Sequence, residues 1–286
     1  MRPSAYSVHE HVLGSSEVET SLNTLPEFDA PPLDEVVVGI QFQPVPAYQQ
    51  IRAFEVWQLF RDQFPVVQEL PPLNAQFETF GLPAAMAFPF NIFTGASHDR
   101  FWFLKEPGHQ LIQFQQDRLL HNWRKLDVKD AEYPRFESIV DQFRKEMLLL
   151  QTYFGTLGNE RLIVTQCELS YLNHIGLDDL EAFSPQNWLA FVDPNQPPVD
   201  EFACTAKHVL KDKSGKPYGR LYRESVTAAD NKGRKLLTLN LTARGRPEAD
   251  TIDGALDFLE RTRHMIAEEF VGATTSEAHK RWKRVR

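Results

Sequence analysis

The sequence predicts an α+β fold with two related βαβββα halves, in which antiparallel sheets are each covered by a long helix. Three observations predict it. Strand-like segments separated by tight turns occur in two sets, and a long amphipathic segment follows each set. One further strand and then a helical segment precede each set. Strands and helices segregated along a chain in this way are typical of α+β domains.

The first half begins with a strand in which Val36, Val38, Ile40 and Phe42 alternate with other residues. A helix is expected next, because apolar residues recur at helical spacing until Pro65, which cannot continue a helix. The apolar stripe of that helix is expected to consist of Ile51, Phe54, Trp57, Phe60 and Phe64.

A three-stranded meander and a long helix complete the first half. The meander strands are predicted over 100–104, 110–116 and 118–124, and the segment before them is read mainly as loop, with a short strand possible at 75–80. The helix is expected to start at Tyr133-Pro134 and to end at Gly155. Its apolar stripe contains Phe136, Ile139, Phe143, Met147, Leu150 and Phe154.

The second half repeats this order. A strand over 162–175 and short helical pieces over 177–183 and 186–191 precede a meander of three strands and a final helix. Thr251 is a suitable cap for that helix. The strands are predicted over 202–210, 218–228 and 235–243, and the helix stripe contains Ile252, Leu256, Leu259, Ile266 and Phe270.

We therefore divide the chain into a mobile leader (1–31), a first βαβββα half (32–157), a second βαβββα half (158–279) and a basic tail (280–286). Two arrangements are open: the sheets join edge to edge into one curved sheet with both helices on one side, or the halves are separate domains. The short linker over 155–160 favours one cooperative unit.

Composition and charge exclude several classes of protein. The chain of 286 residues has a net charge of -8, which argues against a general nucleic-acid binder. Its apolar runs are far shorter than the ~20 residues of a membrane helix, and no secretory signal is recognisable at the N-terminus, so we expect a cytoplasmic protein. The basic tail is either a solvated helix end or a docking site for phosphate or an acidic partner.

No catalytic, metal or cofactor site is predicted. The sequence lacks the phosphate-binding glycine loops, the nucleophile-elbow motif and the HExxH zinc motif. Cys167 and Cys204 are too far apart for a CxxC pattern and are expected to be core residues. These observations favour a protein that is not an enzyme.

Three polar–aromatic clusters are candidate binding residues. Each has a structural interpretation, in which polar groups end strands or helices, and a functional one, in which they form the polar rim of a groove with aromatic stacking surfaces. The candidates are Asn122, Trp123, Arg124 and Tyr133 in the first half, Tyr171, Asn173 and His174 in the second half, and Arg281 and Trp282 in the C-terminal cluster.

Short motifs ordered along residues 32–284 resemble a sporadically distributed family of bacterial conserved hypothetical proteins of unknown function. The resemblance implies no known activity and no catalytic residue, and its scattered occurrence suggests an accessory role in defence or in a toxin–antitoxin-like pair. The motifs are Pro32–Phe42, Phe64-Pro65, Arg100-Phe101, Asn122-Trp123-Arg124, Tyr133-Pro134, Phe136, Tyr171–Ile175, Phe270, Thr274-Thr275, His279 and Trp282.

The leading hypothesis is a cytoplasmic, non-enzymatic binding protein whose partner is another protein or a second copy of the chain. One alternative is a small-molecule-binding enzyme with a pocket between sheet and helices, lined by Phe88, Phe90, Phe93, Trp102 and Trp123. The other is nucleic-acid binding through Arg281, Lys283 and Arg284, which is possible but not favoured by the net charge.

Overall fold

The computed structural model describes residues 25–81, 99–126, 132–158, 161–177, 182–230 and 232–286. Within these ranges nine strands form one antiparallel sheet in the order β2-β3-β4-β5-β1-β6-β9-β8-β7. The strands are β1 (Leu33–Phe42), β2 (Val66–Leu70), β3 (Arg100–Lys105), β4 (Gln110–Gln115), β5 (Arg118–Arg124), β6 (Val164–Gly176), β7 (Ala203–Lys211), β8 (Pro217–Ala229) and β9 (Lys235–Gly245). Both predicted meanders are confirmed, as β3–β5 and β7–β9.

Strand β1 joins the two meanders into one sheet. It pairs with β5 along one edge and with β6 along the other, so that Val38 lies opposite both His121 and Leu169. Of the two arrangements that the sequence left open, the structure contains the first, since the strands of both halves join edge to edge in one sheet.

Four α-helices accompany the sheet in the described residues: α1 (Ala53–Phe60), α2 (Phe136–Thr156), α3 (Ile252–Ala273) and α4 (Ser276–Arg281). Helix α2 contacts β1 and β5, whereas α3 contacts β6 and β9. The predicted cap of α3 is confirmed, because the Thr251 side chain accepts a hydrogen bond from the Gly254 amide.

Among the described residues, no helix is both long enough and apolar enough to cross a membrane.

The two faces of the sheet differ in chemistry. We call the face that bears Val36, Val38 and Ile40 of β1 the core face. These residues form one hydrophobic cluster with buried residues of α2 and α3. Residues at the alternate positions form the opposite face, which we call the polar face because it bears Gln41, Arg118 and their neighbours.

Helix α1 differs from its prediction in length and in orientation. It covers only part of the predicted 48–64 segment, after a 3-10 turn at Gln50–Arg52. Ala53, Val56 and Phe60 are buried, whereas Ile51 is 85% exposed and Phe54 is 59% exposed. The predicted stripe is therefore confirmed at Phe60 and Phe64, which are both buried, and wrong at Ile51 and Phe54. Apolar residues occur on both sides of this helix. The buried side is the one that packs against α2 and β3.

Two irregular regions also differ from expectation. Strand β2 lies in a segment read as loop, and it pairs with β3 at the edge of the sheet. The short strand considered at 75–80 is wrong, because residues 71–80 contain no strand. Of the predicted helical pieces at 177–183 and 186–191, the first lies largely outside the described residues and the second is limited to a 3-10 turn at Pro185–Asn187.

The segment before β1 meets the C-terminal residues in the structure. Residues 25–31, which we assigned to the leader, run beside the C-terminal residues that we assigned to the basic tail. The Glu27 amide donates a hydrogen bond to the Arg286 carbonyl at 3.2 Å, and the Val285 amide donates one to the Glu27 carbonyl at 2.8 Å. The Phe28 ring packs edge-on against Phe270 and against Trp282.

Arg135, which precedes α2, has a backbone conformation that favours glycine. Its φ is 71° and its ψ is 154°, a region that costs about 1–3 kcal/mol for a residue with a Cβ. We expect Arg135→Gly to be more stable than Arg135→Ala by about 1 kcal/mol, because both remove the same side chain and only Ala retains the strain. Urea unfolding of the two variants measures this difference. Equal stability, or a more stable Ala variant, would contradict it.

Candidate functional site

The predicted residues of β5 are divided between the two faces of the sheet. Trp123 lies opposite Val36 and therefore on the core face, whereas Asn122 lies opposite Val37 and Arg124 lies opposite Glu35, both on the polar face. Successive residues of a strand point to opposite sides, so these three side chains do not form one cluster.

The predicted residues of β6 are divided in the same way. Tyr171 is opposite Val36 and lies on the core face with Asn173, whereas the side chain of His174 belongs to the polar face. Asn122 and Asn173 consequently lie on opposite faces. Within the described residues the two asparagines therefore cannot line one groove, because the sheet itself lies between them.

An apolar pocket on the core face brings together Tyr133, Tyr171 and Asn173. Its volume is about 180 Å³, and it lies between β6, β9, α3, the residues before α2 and the 25–33 segment. We call it the tyrosine pocket. Its lining consists of Leu25, Pro26, Glu27, Phe28, Pro31, Leu33, Tyr133, Arg135, Phe136, Tyr171, Asn173, Leu241, Arg263, Ile266, Ala267 and Phe270.

Two neutral phenols supply the polar groups of this pocket. The hydroxyls of Tyr133 and Tyr171 are 3.5 Å apart, at the limit of a hydrogen bond. Burial raises the pKa of Tyr133 above its usual value and raises that of Tyr171 well above it. Both hydroxyls can therefore donate and accept hydrogen bonds at neutral pH, and their weak mutual contact leaves capacity for a ligand.

Neighbouring residues fix these side chains in place. Trp123 does not line the pocket, but its ring packs against Tyr133 with centroids 5.0 Å apart. The Asn173 amide donates to the Leu239 carbonyl at 2.9 Å, so its role is to hold β9 beside β6. Asn173 thus fits the structural interpretation of its cluster better than the functional one.

The charged residues around the tyrosine pocket are paired with one another. Arg263 contacts Glu137 at 2.7 Å and lies over the Phe136 ring. Glu27 contacts Arg135 at 3.4 Å and also Arg286 at 3.3 Å. Because these charges are already matched, the pocket favours an uncharged group over an ion.

Arg281 and Trp282 lie at the end of α4, behind this pocket. The Trp282 ring stacks on Phe270, and it also stacks on Trp188. The Arg281 guanidinium lies over the Trp188 ring at 4.7 Å. Trp282 therefore supports the pocket wall formed by Phe270 rather than contacting a ligand.

Asn122 belongs to a hydrogen-bonded chain on the polar face. Its amide donates to Glu35 at 2.6 Å, and its carbonyl oxygen accepts from Gln113 at 2.9 Å. The side chains of Arg100 and Trp102 both donate to the side-chain oxygen of Gln113. Burial raises the pKa of Glu35, an effect that its hydrogen bond with Asn122 opposes.

Arg124 and His174 stay close to the surface of the polar face. Arg124 donates to the Gly108 carbonyl at 2.8 Å and lies over the Trp102 ring. His174 lies 3.2 Å from Asp34, whose hydrogen bond raises the pKa of His174. These contacts are stable polar pairings, and they do not bring the two residues together.

The pocket suggested for an enzyme is not the one that the structure contains. Trp102 lies opposite Gln113 on the polar face, whereas Trp123 lies on the core face, so the two cannot line one cavity. Phe88, Phe90 and Phe93 lie outside the described residues. A pocket between the sheet and the helices does exist, but it is lined by Tyr133 and Tyr171.

Metal ligands are not clustered in the part of the chain that the structure describes, where no group of at least three His, Cys, Asp or Glu side chains could hold an ion. Cys167 is buried and burial strongly raises the pKa of its thiol, while Cys204 is half-buried. Both cysteines are free thiols.

Sequence reasoning missed the other contributors to the tyrosine pocket. Phe28 and Leu25 fell in the segment read as a leader, and Arg263 fell on what looked like the solvated side of α3. The signal available in residues 25–33 was limited to the apolar side chains of Leu25, Phe28 and Leu33, because the prolines of this segment are equally typical of a disordered leader.

Comparison with known proteins does not assign the chain: no protein-family model matches it, and no curated protein matches it significantly.

Proposed function

We propose that this chain is a non-enzymatic binding protein and that its ligand enters the tyrosine pocket. The observation that carries the proposal is an unfilled apolar space of about 180 Å³ between the sheet and the residues that cover its core face. An apolar cavity of about 150 Å³ is large enough to bind benzene, so the tyrosine pocket has room for one aromatic group. Pockets with apolar walls and few polar groups are typical of ligand sites.

The ligand is an uncharged group with an apolar body and one hydrogen-bonding atom. The apolar body would contact Phe28, Ile266 and Phe270, and the polar atom would meet the hydroxyls of Tyr133 and Tyr171. An ion would lose its hydration without gaining a partner, because the nearby arginines already contact carboxylates.

Two sources can supply such a group: an aromatic side chain of a partner protein, including a second copy of this chain, or a free small molecule. We favour the protein source, in line with an accessory role in a bacterial cytoplasm, such as defence or a toxin–antitoxin-like pair. Exposed apolar residues elsewhere on α1 and α2, among them Phe54 and Leu149, offer further contact area for a protein.

We also propose that the two halves are related by duplication, with each long helix covering its own half of the sheet. The strand order supports this: reading outward from the centre, β1 is followed by β5, β4 and β3, and β6 is followed by β9, β8 and β7. The contacts of α2 with β1 and β5, and of α3 with β6 and β9, follow the same correspondence. A superposition of these strands that fails to bring α2 onto α3 would count against a duplication.

A second candidate function is the binding of a nucleic-acid backbone by the C-terminal residues. It is favoured by an open basic surface that includes Lys280, Lys283, Arg284 and Arg286. Backbone hydrogen bonds to residues 27–30 hold these residues in place, so their charges are presented in a fixed arrangement.

For the tyrosine pocket, we expect Ala267→Phe to abolish ligand binding by filling the space from α3. Ala267 lines the pocket and is half-buried, so the new ring can enter it. Titration with p-cresol, followed by protein NMR, should show saturable binding to the unmodified protein and at least about tenfold weaker binding to the variant, which corresponds to about 1.4 kcal/mol.

Ala190→Phe is the matched control, because Ala190 is exposed and does not line the pocket. Native mass spectrometry of the protein purified from its host separates the two sources, since a bound protein and a bound small molecule differ in mass. Equal p-cresol binding by both variants, or no saturable binding by the unmodified protein, would contradict the proposal.

For the basic surface, we expect the double substitution Lys280→Gln and Lys283→Gln to weaken binding of a single-stranded oligonucleotide. The plot of log affinity against log salt should lose about 1.4 of its slope, because each lost phosphate contact accounts for about 0.7. Fluorescence anisotropy at several salt concentrations measures the slope. The matched control is Lys213→Gln with Lys216→Gln, in the exposed turn between β7 and β8. Equal slopes for both double variants would exclude this role.

A further inference from the structure

A row of glutamine side chains crosses the polar face of the sheet. Gln115 of β4 lies opposite Arg118 of β5, Arg118 lies opposite Gln41 of β1, and Gln41 lies opposite Gln166 of β6. All four side chains are buried, although they are polar or charged. Buried polar groups normally have hydrogen-bond partners, so each amide of this row must be accounted for.

Two of the three glutamines bind the backbone of the segment that covers this face. Gln115 accepts from the Leu73 amide at 2.9 Å and donates to the Leu73 carbonyl at 3.0 Å. Gln41 accepts from the Gln76 amide at 2.9 Å and donates to the Gln76 carbonyl at 2.8 Å. Each of these side-chain amides therefore forms two hydrogen bonds with the backbone of a single residue, one as donor and one as acceptor.

The third glutamine of the row has no such partner. Gln166 is 1% exposed, and in the described part of the chain neither the nitrogen nor the oxygen of its side-chain amide has a hydrogen-bond partner. A buried donor or acceptor left unpaired costs about 1–3 kcal/mol. Since both atoms of Gln166 are unpaired, the side chain is suited to a group that accepts and donates at the same time.

A small cavity lies beside Gln166. Its volume is about 70 Å³, and its walls include Gln41, Gln166, Arg118 and the Glu168–Arg244 ion pair, with Leu73 and Gln76 of the covering segment above. Gly39 forms part of the wall between the two glutamines. The cavity is on the face of the sheet opposite the tyrosine pocket, and the two share no lining residue.

The charges around this cavity are already matched. Arg118 lies 3.4 Å from Asp117, and Arg244 lies 2.6 Å from Glu168. An anion would compete with these carboxylates, whereas a neutral group would leave both ion pairs intact. The chemistry of the cavity therefore selects a neutral ligand with a hydrogen-bond donor and acceptor side by side.

We propose that the cavity beside Gln166 binds a small primary carboxamide. The amide of Gln166 would pair with the ligand amide in the way that Gln115 and Gln41 pair with Leu73 and Gln76. The cavity has room for a group of the size of acetamide.

The test is a titration of the full chain with acetamide and, separately, with acetone, which has a similar size but no donor. The side-chain amide signals of Gln166 and of Gln41, which also lines the cavity, report binding in a nitrogen-15 NMR spectrum. In the variants of Gln166, the Gln41 signal is the reporter. We expect a saturable shift with acetamide and at least a tenfold weaker response to acetone. Gln166→Met should lose the acetamide response, and Gln68→Met, on the exposed strand β2, should keep it.

If Gln166→Met does not fold, Gln166→Glu replaces it, because this substitution keeps the shape and removes the amide donor. If either variant gives the spectrum of a folded protein and no longer responds to acetamide, the result supports the proposal. Equal responses to acetamide and acetone, an unchanged response in the folded variant, or no saturable shift at all would overturn it and assign the cavity to water alone.

Discussion

The pairing of β1 with β6 is the constraint on which the remaining structure depends. Strand β1 is the one connection, in the described sheet, between the strands of the first meander and those of the second. Seven consecutive residues from Val36 to Phe42 are buried, so β1 has no solvent-exposed side over that length. A shift of its register by one residue would exchange the contents of the two faces, moving Val38 to the polar side and Gln41 into the core.

This register produces two unlike environments from one strand. On the core face, apolar side chains of β1, α2 and α3 exclude water and leave the tyrosine pocket as an unfilled space. On the polar face, amides and ion pairs satisfy many of one another's hydrogen bonds beneath an extended segment, whereas both polar atoms of the Gln166 side chain are left unpaired. Each proposed site therefore follows from the chemistry of its own face, and neither uses residues of the other.

Local periodicity predicted the elements that have one apolar side, such as the strands of both meanders and the helices α2 and α3. It failed for α1, where Phe54 and Val56 offer competing apolar sides and only tertiary contacts decide between them. The polar–aromatic clusters included both tyrosines but grouped Tyr133 with Asn122 and Tyr171 with His174, because the face on which a residue lies depends on pairing with a distant strand. Gln166 was not among the candidate residues, since local sequence does not reveal which segment covers a sheet.

Native-state hydrogen exchange tests most directly whether the β1–β6 pairing unites the sheet. The account predicts that the slowest amides of β5 and β9, such as those of Leu119 and Leu241, open with one common free energy equal to that of global unfolding. Exchange of the β9 amides at a clearly lower free energy, while the β5 amides remain protected, would show two independent units and contradict it.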